Sequence, residues 1–130
     1  MGRPALVLLC IAGTAQAQSA PDQAEAQFQR GKRLMAEGKI AEACAAFDDS
    51  QRLDPSPATV MNQAHCRERN GQLATARALF LEAARQTSAM RDAKWKKTHA
   101  TATGLAAKLD PRLSTLRIDV PPDNVVEGLE

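Results

Sequence analysis

The chain has 130 residues, one domain's worth, with 44% hydrophobic and 25% charged residues and a formal net charge of +2. Only 3% are aromatic (Phe28, Phe47, Phe80 and Trp95, with no Tyr), which disfavours a β-sandwich or barrel core and a base-stacking nucleic-acid platform; the small net charge implies no polyanionic partner. A core built from Ala, Leu and Met points instead to closely packed helices.

Residues 1–17 read as a secretory signal peptide. Arg3 supplies the positive start, Ala5 to Gly13 is a continuous apolar run, and Ala15-Gln16-Ala17 has the small-x-small pattern of a cleavage site. The apolar run is too short to span a bilayer. Cleavage after Ala17 makes the mature chain periplasmic or secreted, with residues 18–23 as a linker. It also leaves two of the three cysteines, Cys44 and Cys66. In an oxidising compartment these are candidates for one disulfide bond; the alternative is two independent buried thiols. A metal site is not supported. Zinc ligands come in short-spaced pairs, and His65-Cys66 are adjacent while the other candidates are distant.

The middle of the chain repeats itself. Gly38, Ala41, Ala43, Phe47 and Ser50 recur as Gly71, Ala74, Ala76, Phe80 and Ala83, every one offset by 33, and Gly31 aligns with Ala64. The unit reads as helix, glycine turn, helix. Gly38 and Gly71 suit a left-handed residue that closes a helix. Ala43 and Ala76 leave room for a close partner helix, and Phe47 and Phe80 fill the same face one turn later. Leu53-Asp54-Pro55 ends the second helix, since proline cannot continue it.

This pattern resembles the tetratricopeptide repeat (TPR) family, whose unit is a helix-turn-helix of about 34 residues with small residues at the helix crossings. Residues 24–56 match in Gly31, Leu34, Gly38, Ala43, Phe47 and Pro55, and residues 57–89 in Ala64, Gly71, Ala76, Phe80 and Ala83. Ser50 stands where the family usually has Ala. A narrower similarity, carried by Leu34-Met35, Ala41 to Cys44, Leu53-Asp54-Pro55, Cys66-Arg67-Glu68 and Leu109 to Ser114, is to secreted myxobacterial-type TPR proteins, in which a β-sandwich follows the helices. The resemblance implies an all-α helical domain over 24–110, with two antiparallel repeat units and a capping helix. It also implies that the helices carrying Cys44 and Cys66 are packed neighbours, so that a bridge would staple the repeats.

The capping helix is expected from Thr87 to Leu109, with Thr87-Ser88 at its start and a buried stripe of Met90, Ala93, Ala100, Gly104, Leu105 and Leu109. Asp110-Pro111 ends it. Leu116, Ile118 and Val120 alternate with Arg117 and Asp119, so residues 111–130 read as a partial β segment or the start of a further domain.

Catalytic motifs are absent from the sequence: there is no glycine-rich phosphate loop, nucleophile elbow or zinc-protease motif. His65 and His99 have no evident acid or nucleophile partner. Asp48 and Asp49 are adjacent on a helix, do not face each other, and read as solvated surface. The expectation is therefore a non-enzymatic module without cofactor or metal. In the resembled family the first helix of each unit lines a concave groove. Carried over, this assigns Glu25, Phe28, Lys32 and Met35, then Met61, His65, Glu68 and Arg69, as a surface for a peptide or protein partner. The family's carboxylate clamp is not carried over, because Phe28 and Met61 occupy positions where it needs polar groups. Arg91, Lys94, Lys96 and Lys97 form a basic patch around Trp95. It reads either as an outward amphipathic face or as a contact for anionic surfaces, the second making the chain a sensory or envelope-binding region of a larger protein.

Overall fold

The computed structural model describes Gly2 and residues 17–114. Five helices follow one another: α1 (Ala20–Ala36), α2 (Ile40–Leu53), α3 (Pro57–Arg69), α4 (Leu73–Thr87) and α5 (Ala93–Leu109), with a 3-10 turn at Asp110–Arg112. Each packs against the next in sequence, so the described residues form a helical array compatible with a helical repeat. They contain no strand. The expected signal peptide, apart from Gly2 and Ala17, and all of the expected β segment beyond Ser114 lie outside the described residues.

Local chemistry sets the helix boundaries. Ser19 caps α1, its hydroxyl accepting from the Asp22 amide at 3.3 Å, and Ser56 caps α3, accepting from the Ala58 amide at 3.2 Å. A proline in the first turn of each supplies a helical φ and no surplus N–H. The two turns that close α1 and α3 are the same turn twice. Gly38 has φ +77° and Gly71 φ +76°, where a side chain would be strained. The Gly38 amide donates to Met35 O and the Lys39 amide to Leu34 O; likewise Gly71 donates to Glu68 O and Gln72 to Arg67 O. That is the paired bonding of a Schellman motif, and it satisfies carbonyls a helix end leaves open.

The repeat is also one of packing. Phe47 is 1% exposed and Phe80 0%, each the largest side chain of its layer. Phe47 lies so close to α1 that a Cβ on Gly31 would sit 2.6 Å from the ring. In the second unit Ala64 occupies the matching position, fully buried with Ala76 and Phe80. Ala43, Ala76 and Ala83 are fully buried, as expected, whereas Ala41 and Ala74 face solvent.

Cys44 on α2 and Cys66 on α3 form a disulfide bond, with Cα atoms 5.5 Å apart and a sequence separation of 22. It joins the two units where both cysteines are buried. Beside it, Asp48 on α2 accepts from Gln63 Nε2 at 2.8 Å and pairs with Arg67, both on α3. Asp48 is therefore an inter-helix tie and not the solvated surface expected of it; Asp49 pairs only with exposed Arg52.

Two boundaries differ from expectation. α1 begins at Ala20, inside the stretch read as a linker, because Ser19 and Pro21 start a helix there. α5 begins at Ala93, not Thr87: Thr87 is the last residue of α4, its hydroxyl spent on the Ala83 and Ala84 carbonyls, and Asp92 is the cap, accepting from the Lys94 amide at 2.8 Å. The buried face of the helix also differs from the expected stripe. Ala102, Ala106 and Leu109 are buried, Met90 lies in the loop, and Ala93, Ala100 and Gly104 are exposed. His99 Nδ1 approaches the Ala84 carbonyl at 2.8 Å. The carbonyl can only accept, so Nδ1 carries the proton and holds α5 to α4.

Urea unfolding tests this packing. Gly31→Ala must push Phe47 aside and is expected to cost about 1–3 kcal/mol. Gly104→Ala, with open space at its Cβ, is expected to stabilise by about 1 kcal/mol; equal effects at the two sites would refute the close approach. Asp48→Ala is expected to cost about 1 kcal/mol, against almost nothing for Asp49→Ala. For the disulfide, unreduced protein should take up no thiol label at Cys44 or Cys66, and reduction should cost roughly 3 kcal/mol.

Candidate functional site

Two clefts open on either side of α3, and Ala58 lines both. The first, about 220 Å³, lies between the start of α1, the end of α2 and the start of α3. Phe28 and Ala24 supply its apolar lining, Ser50 and Thr59 its hydroxyls, and Glu25 and Asp54 its carboxylates. Phe28 packs edge-on against Phe47, centroids 5.7 Å apart, so its position is fixed from behind by the core. The second cleft, about 270 Å³, lies between α3 and α5. Met61 and Trp95 give it an apolar lining, and Lys94 and Lys97 bring positive charge. Lys94 Nζ sits 4.5 Å from the Trp95 ring centroid, a cation–π contact.

The sequence-derived groove is brought together in part. Phe28 and Met61 face the two clefts. Lys32 stands over Phe28, its Nζ 5.9 Å from the ring centroid. Met35 packs onto the first core layer, and Arg69 reaches back to donate to the Met35 carbonyl at 3.4 Å. Glu68 pairs with Arg112 at 2.6 Å. His65 is exposed, its ring edge-on to Phe80 at 5.1 Å. Met35, Glu68 and Arg69 thus have partners within the chain, and the open part of the surface lies toward the starts of α1, α3 and α5.

The basic patch divides as well. Lys94 and Lys97 line the second cleft; Arg91, in the loop before α5, and Lys96 are exposed and do not. Motif reasoning treated the groove and the patch as separate features, yet Met61 and Trp95 share one cleft. It also missed Ser50, Thr59 and Asn62 as lining residues. Ser50 carried the available signal, being a hydroxyl where the repeat pattern favours a methyl.

The perturbed ionisations lie away from these clefts. Hydrogen bonds from Arg85 and Gln86 lower the Glu82 carboxyl to about 2, Glu82 in turn raises Arg85, and Glu37 raises Lys39. Among the described residues no group of three or more His, Cys, Asp or Glu side chains is placed to hold a metal ion, and no helix is long and apolar enough to cross a membrane. Comparison with known proteins finds no matching family, curated sequence or solved structure.

The second cleft contains the chain's single tryptophan, which makes it directly observable. Met61→Glu should red-shift Trp95 emission by wetting the cleft while leaving the far-ultraviolet helix signal unchanged. An unaltered spectrum would mean that Met61 and Trp95 do not share it.

Proposed function

We propose that the chain is an exported, non-enzymatic interaction module of tetratricopeptide type, presenting the face formed by α1, α3 and α5 to a peptide segment of a protein partner. The observation that carries this reading is the pair of clefts flanking α3, joined at Ala58, the first lined by α1, the end of α2 and α3 and the second by α3 and α5. Such a face is held open by the second helices behind it, so binding requires little reorganisation. The Cys44–Cys66 bond fits an oxidising compartment, and the sequence of residues 1–17 accounts for export to it.

Stability fits the same reading. Two repeat units are fewer than the three usual for a stable stack. The disulfide and the third layer supplied by α5 offset that shortfall.

Capture from the exported protein fraction tests the function. Ala58→Arg places a long side chain at the junction of the clefts without entering the core. Loss of the captured partner with unchanged circular dichroism is the expected result. Equal capture by both proteins would exclude the α1–α3–α5 face. Capture of anionic vesicles alone, abolished by salt and by Lys96→Gln with Arg91→Gln, would favour the contact with anionic surfaces instead.

A further inference from the structure

The two clefts flanking α3 have opposite charge. Glu25 and Asp54 line the first, with no cation among its lining residues; Lys94 and Lys97 line the second, with no carboxylate. The starts of α1 and α3 add partial positive charge to the first cleft, about half a unit each. Ser19 and Ser56 partly cap both, and two full carboxylate charges outweigh them.

The first cleft also carries two hydroxyls in its wall. Ser50 is 2% exposed and Thr59 5%, and both residues line the cleft, where a hydroxyl oxygen can accept a hydrogen bond. A guanidinium or ammonium group has donors for those oxygens as well as for the carboxylates, and its alkyl stem suits the Phe28 ring. In the second cleft, Met61 and Trp95 suit an aliphatic side chain, with Lys94 and Lys97 placed for a carboxylate beside it.

We infer that this face selects an extended peptide carrying an arginine or lysine at one end and an acidic residue next to an aliphatic one about three to five positions away. The spacing follows from geometry: the clefts lie on opposite sides of one helix about 10 Å across, and an extended chain advances roughly 3.3 Å per residue. The inference rests on the reading of the α1–α3–α5 face as a peptide groove, and it names the charge pattern of the peptide.

Fluorescence anisotropy on the purified, disulfide-bonded chain tests it. The probe is a labelled peptide of about nine residues with Arg and Glu four positions apart around a Leu-Leu pair. Its controls carry glutamine for the arginine, for the glutamate, or for both. The doubly charged peptide is expected to bind at least about tenfold more tightly than the neutral one. The double variant Glu25→Gln, Asp54→Asn should abolish the gain due to arginine and keep that due to glutamate. Lys94→Gln with Lys97→Gln should do the reverse. Equal affinity for all four peptides would overturn the charge pattern and leave the groove standing. Failure of every peptide to bind, the neutral one included, would overturn the groove as well.

Discussion

The approach of the Phe47 ring to Gly31 sets the spacing of the first helix pair, and the rest of the array depends on that spacing. With no Cβ on Gly31, α1 settles onto the ring itself. Ala43 and Ala46 pack in the same cluster, and Phe28, also on α1, meets the ring edge-on. A protein with few aromatic side chains thus uses one ring per layer as the volume around which alanines close. The second layer solves the same problem with Ala64 and Phe80.

Two repeated layers still have to be fixed to each other. The contact between α2 and α3 is where the units meet, and covalent and polar ties concentrate there: the Cys44–Cys66 bond, the Arg67–Asp48 pair and the Gln63–Asp48 hydrogen bond. At the other end, α5 is anchored by His99 on Ala84 and by Leu109, while Arg77–Asp110 and Glu68–Arg112 secure the turn that follows it. These ties make the face of first helices a fixed surface. Glu68 is taken up by Arg112, Arg69 reaches the Met35 carbonyl and Met35 packs on the first core layer, so the open part of that surface lies toward the helix starts.

Much of the fold was legible because it depends on short-range rules. A glycine with positive φ, a proline in a first turn and an aromatic recurring at a fixed offset each leave a mark on neighbouring residues. The clefts were less legible, since each is assembled from segments far apart in sequence. Ser50 and Thr59 meet Glu25 across three helices, and Met61 on α3 meets Trp95 on α5 from 34 positions away. The start of α5 was misplaced for a local reason: Thr87 is committed to the α4 carbonyls, and Asp92 is the cap.

By itself the sequence determined the helical class, the two-unit repeat, its glycine turns and its buried aromatics, because local backbone preference and periodic burial depend on residues within a few turns of one another. Tertiary structure alone decided that Cys44 and Cys66 are bonded, that Asp48 is a tie and not surface, and that Met61 and Trp95 share a cleft. Each of these depends on the distance and rotation between helices, and those are set by the summed packing of the whole array.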